Sequence, residues 1–552
     1  MHSSLLLLPA FVAGAVAASS PLALRDLGGP PTVTLDSATV IGKLNGSVVH
    51  YLGIPFAQPP IGDLRLRAPQ PISPFTGTVN ATAFGNQCIQ QTFPNLTFPA
   101  DVPAAVGQYL SAFVTPAPVP ESEDCLNLNV IVPANATQED KLPVVVWIYG
   151  GGFQAGSNAV FPGEAIVARS VEIGHPVIYM AMNYRLSAFG FLGGKEVKEA
   201  GVANLGLLDQ RESLKWIQKY ISAFGGDPEK VMIWGESAGA ISVAHHMLAN
   251  NGDPQGLFRA GFMESGSPAP VGQVDNPYLQ TTYDTIVVDA GCADSANSLS
   301  CLRQVPTGKL KAAMDQTPTF LSFKQLNTPW FPRADGGYIK QEPQHQLISG
   351  AIATIPFVIG NDLDEGSALS FPTLNLTTDD EVLDYIQANF FRNTSRAVVA
   401  NVLNLYPQDP AAGSPFGTGS NHSYSPQYKR ISAIQGDFFE QAPRRLFVQQ
   451  LGNRQSVYNY LSEIDQVDGI GAAHGTELTN IYGGGDMADY LIRFAATLDP
   501  NGDGAPAWPR YTTENPALLT FRDRVPFVNV TMDTYRIAGM AFLTQLSLAD
   551  PI

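Results

Sequence analysis

The chain has 552 residues, 45% of them hydrophobic and 15% charged, which excludes a disordered or fibrous protein and leaves room for a large buried core. Its formal net charge of −17 repels a phosphate backbone, so a nucleic-acid partner is not expected and an uncharged or apolar one fits better. Beyond the N-terminus no apolar run is long enough to span a bilayer, so no transmembrane anchor is expected.

In chain order, the first element is the apolar run Leu5–Ala17, which ends in the small-residue pattern Ala15-Val16-Ala17. It is too short to cross a membrane and predicts a signal peptide over residues 1–17, with a possible pro-segment to about residue 25. No repeat, heptad run or low-complexity linker follows, so residues 26–552 form one domain. The four cysteines fall into two local pairs, Cys88 with Cys125 and Cys292 with Cys301, and none is left over. This suits an oxidising, extracellular compartment, although spacing alone leaves the other pairings open. Asn45, Asn80, Asn95, Asn135, Asn375, Asn393, Asn421 and Asn529 each head an Asn-X-Ser/Thr triplet, so surface loops are expected to accept glycans.

Strand then helix recurs through the middle of the chain. Leu142–Ile148 and Pro176–Met182 are continuous β-branched and apolar runs, the pattern of strands covered on both faces. From Asp209 to Phe224 the apolar residues fall at helical spacing, and Gly225-Gly226 stops the helix. Another buried strand, Val231–Trp234, is followed by a helix after Ser237. The alternation predicts an α/β fold, a large central, mostly parallel sheet flanked by helices, with its ligands beyond the carboxyl ends of the strands.

Gly235-Glu236-Ser237-Ala238-Gly239 stands between that strand and that helix. A serine in this G-x-S-x-G pattern occupies a strained turn that lifts its hydroxyl into a site, and glycine two residues to either side leaves room for the backbone. A hydroxyl nucleophile needs a base, and the base needs an orienting carboxylate, in the chain order Ser, acid, His. The strand pattern Ile355–Gly360 delivers Asp362, Asp364 and Glu365 to the right edge of the sheet. Glu365 is preferred, though spacing does not separate it from the other two. The order rule sets aside His50 and His175, and His245 and His246 read as packing residues on the helix after Ser237. Of His345, His422 and His474, the last lies among small residues in Gly471-Ala-Ala-His-Gly475 and is favoured as the base. The glycine run Gly150-Gly151-Gly152 after the first buried strand can turn N–H groups toward a developing oxyanion, and Ala238 can add another. A phosphate-cradling role for that loop lacks the Lys-Ser/Thr or GxGxxG that it would need. This chemistry calls for no metal and no cofactor.

Taken in series, Tyr51–Ala57, Glu123–Asn127, Trp147–Phe153, Asn183–Arg185, Ala223–Pro228, the Ser237 motif, Asp364-Glu-Gly366 and His474 resemble the type-B carboxylesterase/lipase family of α/β-hydrolases over nearly the whole mature chain. The resemblance implies an α/β-hydrolase fold, a catalytic triad of Ser237, Glu365 and His474, oxyanion donors at Gly151, Gly152 and Ala238, and the two local disulfides. The chain is most similar to the secreted fungal and yeast lipase and sterol esterase branch, which carries a lid inside the first disulfide loop, here residues 89–124. Within it Pro103 can start a helix whose Val106, Tyr109, Leu110, Phe113 and Val114 form one apolar stripe. The chain departs from that branch in carrying Ser367-Ala-Leu369, where its lipases often place paired phenylalanines along an acyl tunnel. The expected function is a secreted serine carboxylic ester hydrolase acting on triglycerides, sterol esters or other long-chain esters at an interface. Two rivals are a carboxylesterase for soluble short or aromatic esters and a non-catalytic binding protein on the same scaffold. Oligomeric state is left open.

Overall fold

The computed structural model describes residues 29–552. The expected signal peptide and pro-segment fall outside the described residues. A small sheet of Thr32–Leu35, Ala38–Ile41 and Thr78–Asn80 stands beside an eleven-stranded one. The strands of the large sheet are β1 (Lys43–Asn45), β2 (Val48–Pro55), β3 (Asn127–Pro133), β4 (Leu142–Ile148), β5 (Ile178–Met182) and β6 (Gly226–Glu236). They continue with β7 (Ala260–Glu264), β8 (Phe357–Asp362), β9 (Val457–Glu463), β10 (Ala517–Arg522) and β11 (Val528–Met532). Across the sheet the order is β11-β10-β9-β8-β7-β6-β4-β5-β3-β2-β1. Every pairing from β5 across to β10 is parallel, and the pairings of β1, β2, β3 and β11 are antiparallel.

The central strands show why. In β5, β7 and β8 every residue is buried, and in β4 every residue but Pro143. Only a sheet with helices on both faces hides alternate residues equally, and the apolar runs supply that surface without alternation. The tilted contact of Trp147 with Trp234, ring centroids 4.3 Å apart, ties β4 to β6 in this core.

Three helices position the site. The first, α1 (Ala104–Val114), begins after Pro103; the second, α2 (Leu205–Tyr220), precedes β6; the third, α3 (Ala238–Gly252), follows it. The helical run read from Asp209 starts four residues earlier, at Leu205. Leu205, Gly206 and Leu207 are all buried, and Asp209 is buried against Arg185 at 2.7 Å, so this end has no polar face to give it a helical period. A 3₁₀ turn, Ile221–Phe224, carries α2 to Gly225, which takes φ +88° and ends it.

Both local disulfides, Cys88–Cys125 and Cys292–Cys301, are formed. No helix among the described residues is long and apolar enough to cross a membrane. All eight sequon asparagines are exposed, but the expectation that they sit on loops needs correcting. Asn45 and Asn80 close strands and Asn529 lies within β11, because these edge strands offer solvent-facing positions as loops do. The side-chain amide of Asn393 is already engaged, donating to Asp550 Oδ1 at 2.8 Å.

Candidate active site

Ser237 sits between β6 and α3 with φ 55° and ψ −125°, a left-handed turn that a side-chain-bearing residue adopts only under constraint. The constraint is visible on both sides. Its N–H donates to the Glu264 carbonyl at 2.8 Å, and the flanking glycines have no room for a side chain. A Cβ on Gly235 would stand 2.5 Å from the Gly239 carbonyl carbon, and one on Gly239 would stand 1.9 Å from the Ile148 oxygen. The strand, the elbow and the helix are thus locked together by the absence of two methyl groups.

The Ser237 hydroxyl donates to His474 Nε2 at 2.8 Å, and His474 Nδ1–H donates to Glu365 Oε2 at 2.6 Å. The carboxylate on one side fixes which ring nitrogen carries the proton and leaves the other free to accept. Glu365 Oε1 accepts the Asp362 N–H at 2.9 Å. The two other candidate acids hold the backbone of the histidine loop. Asp362 Oδ2 accepts the Gly475 N–H at 2.8 Å; Asp364 accepts from the Ala472 N–H at 3.2 Å, and from Ser414 Oγ and the Phe416 N–H at 2.8 Å. Three neighbouring acids therefore share the work, with only Glu365 meeting the imidazole. His345 lies at the surface near Glu342 and His422 beside Tyr424, while His245 and His246 are buried on α3.

Gly151 and Gly152 adopt φ +100° and +63° after β4 and line the cavity with Ser237 and Ala238. Among the described residues none of these three amides donates to an acceptor within the chain, so all are available to a ligand oxygen. The cavity encloses about 690 Å³ including its mouth, and its walls are apolar: Ile241, Phe320, Leu326, Phe331, Leu369 and Phe439. Where Ser367-Ala-Leu369 replaces a phenylalanine pair, aromatic wall is supplied instead by residues far along the chain. A second cavity opens on the other side of Gly151 and Tyr109, against Val160, Phe161, Leu478 and Glu236.

Helix α1 closes over this region. Val106 and Leu110 are buried in an apolar cluster with Phe320, Leu369 and Phe371, and Tyr109 donates its hydroxyl to the His474 carbonyl. The side chain of Phe113, placed in the same stripe, lies outside the described ones. An eleven-residue helix is marginal alone, so its docking depends on that face.

Apart from Asp362, already a candidate acid, the further buried acids of the site are illegible in sequence. Glu236, Glu264, Asp362, Glu440 and Glu477 are buried, and burial raises the carboxyl of each above its usual range, that of Glu236 to about 8. Burial opposes a charge on His474 too, but the Glu365 carboxylate at Nδ1, aided by Glu236 and Glu440, outweighs it and holds the imidazole above its ordinary range. Glu236 Oε1 stands 3.4 Å from His474 Nε2.

A mostly parallel sheet, a tight strand–Ser237–helix turn at its carboxyl edge and an acid–imidazole–hydroxyl chain of contacts across three strand ends define an α/β-hydrolase. The chain belongs to the carboxylesterase family, whose sequence profile matches residues 29–536, and its activity is carboxylic ester hydrolysis. It is 39% identical over 527 residues to "Secreted lipase 1" of Botryotinia fuckeliana, covering 92% of each chain. It is 37% identical over 556 residues to "Lipase 2" of Geotrichum candidum, covering 94% of this chain and 96% of that one. Among solved structures, Aspergillus niger EstA superposes with a TM-score of 0.81 at 27% identity, covering 95% of this chain and all of that one.

Proposed function

We propose that the protein is a secreted lipase that cleaves long-chain esters through an acyl-enzyme on Ser237. His474, oriented by Glu365, takes the hydroxyl proton as Ser237 attacks the ester carbonyl. The carbonyl oxygen becomes an alkoxide in the turn of Gly151, Gly152 and Ala238, where unengaged amides stabilise the charge that develops. His474 then gives its proton to the leaving alcohol, and water attacks the acyl-enzyme by the same relay. The one observation that carries this reading is the pair of contacts on His474, 2.8 Å to Ser237 and 2.6 Å to Glu365. The lipase half of the reading rests on the apolar cavity beside Ser237 and on a docked helix whose release would uncover more apolar surface. Export is supported by the paired cysteines and by relatives named as secreted lipases.

Rates on emulsified long-chain triglyceride and on dissolved short-chain esters test the lid. The expected result is a jump in rate once an interface forms; a rate that follows dissolved substrate alone would favour the short-ester carboxylesterase. Tyr109→Phe removes the hydroxyl that tethers α1 to the His474 carbonyl. It is expected to raise activity on dissolved esters by about 2- to 10-fold, the worth of one net hydrogen bond, and to shrink the interfacial jump.

The pH profile tests the relay. Only the neutral imidazole can accept the Ser237 proton, so the acid limb of kcat/KM follows His474. Glu236, pushed up to about 8 by burial, is ionised only above that pH and there stabilises the imidazolium, so Glu236→Gln lowers the pKa of His474 and moves a limb lying above pH 8 to lower pH. A limb that stays in place or moves upward contradicts the assignment.

A further inference from the structure

The hairpin of β10 and β11 ends the large sheet, and among the described residues β11 has no strand beyond it. In its register Thr520 faces Asn529 and Leu518 faces Thr531, while the Thr520 and Thr531 hydroxyls meet at 2.7 Å. Asn529 and Thr531 therefore share one face of β11. Phe527 stands in the bend just before β11, and its carbonyl accepts the Arg522 N–H at 2.7 Å, which carries the hairpin register one pair past the strand. Phe527 is 58% exposed, and Val525 at the hairpin tip is 80% exposed. A bare aromatic beside an open edge strand invites edge-to-edge association, which proteins ordinarily block.

The block is written beside it. Phe527-Val528-Asn529-Val530-Thr531 is an acceptor triplet with an aromatic ring two residues upstream, about 6–7 Å away along the chain. At two residues' separation a first sugar on Asn529 is within reach of the exposed Phe527 ring, whose apolar surface its C–H face can cover. Phenylalanine also stands two residues before Asn95 and Asn393, but there the rings are taken. Phe93 packs on Phe320 with centroids 4.8 Å apart, and Phe391 is buried against Phe438 at 5.1 Å.

We propose that Asn529 carries an N-linked glycan whose first sugar stacks on Phe527 and caps the open edge of the sheet. The inference rests on the export reading above. In the transfer, Asn529 Nδ2 displaces the diphosphate from C1 of a polyprenyl-diphosphate-linked oligosaccharide; the C1–N bond forms, the C1–O bond breaks, and the displaced amide proton neutralises the departing lipid diphosphate.

The test uses the full chain secreted from a eukaryotic host. Peptide mass mapping is expected to find sugar on Asn529. Trimming to a single residual sugar is expected to leave hydrogen exchange across residues 517–532 slow, whereas complete removal speeds it by about 2- to 10-fold, the scale of one aromatic contact. In Phe527→Ala the residual sugar no longer protects. Sugar on other exposed sequons with Asn529 bare overturns this proposal alone, as does an occupied Asn529 whose removal leaves exchange unchanged. A chain retained in the cell and bare at every sequon overturns the export reading and this proposal with it. A bare Asn529 with self-association that Phe527→Ala abolishes assigns the face to a second copy of the chain instead.

Discussion

Replacing Ser237 by alanine is expected to lower kcat for ester hydrolysis by about 10⁵- to 10⁶-fold while leaving the thermal midpoint nearly unchanged. The loss is large because in the proposed acyl-enzyme the Ser237 oxygen is the atom that bonds to the acyl carbon. Alanine fits the same turn, since the flanking glycines and the Ser237 N–H contact to Glu264 remain. A residual rate well above that of free solution should persist from the amides of Gly151, Gly152 and Ala238. The checks are burst kinetics and covalent labelling with an organophosphonate, both of which should vanish. If S237A turns over esters within tenfold of the parent, the acyl-enzyme is not formed at this residue.

Glu365→Gln is expected to cost about 10⁴-fold in kcat with little change in KM. The reason lies in the two ends of the carboxylate. Glu365 Oε1 accepts the Asp362 N–H, so in the glutamine variant the carbonyl oxygen takes that place and the NH₂ group faces His474 Nδ1. Two donors then meet unless the imidazole moves its proton to Nε2, which leaves no acceptor for Ser237. The variant should fold normally, because Asp362 and Asp364 still hold the histidine loop. A loss below tenfold would mean that Glu365 does not orient the base.

Much of this was legible because local and global signals agree. Buried strands announce themselves as β-branched runs, and an elbow needs glycine at two positions for a reason that no side chain can evade. His474 emerges by elimination, since small neighbours admit an imidazole. Glu365 was harder: Asp362, Asp364 and Glu365 are near neighbours on one loop, and their separate tasks depend on which amides of the loops at 414–416 and 472–475 reach them. The buried acids were not legible at all. Glu236, Glu264, Glu440 and Glu477 are scattered along the chain and meet only because β6, β7, β8 and β9 lie side by side. Tyr109 belonged to the expected helical stripe, but its bond to the His474 carbonyl joins residues 365 positions apart and leaves no local trace.

The Cys88–Cys125 bridge brings the two ends of the lid segment to Cα atoms 5.0 Å apart. The chain between them leaves and rejoins the body at one point, and along the way Gln91, Val106, Tyr109 and Leu110 dock it on the body. Such a segment can lengthen, shorten or change character without moving a single register of the sheet, because the cost of a longer loop grows only slowly once its mouth is clipped. Changes at the exposed positions of this segment can therefore alter the approach to Ser237 while the sheet that carries Ser237, Glu365 and His474 stays in register.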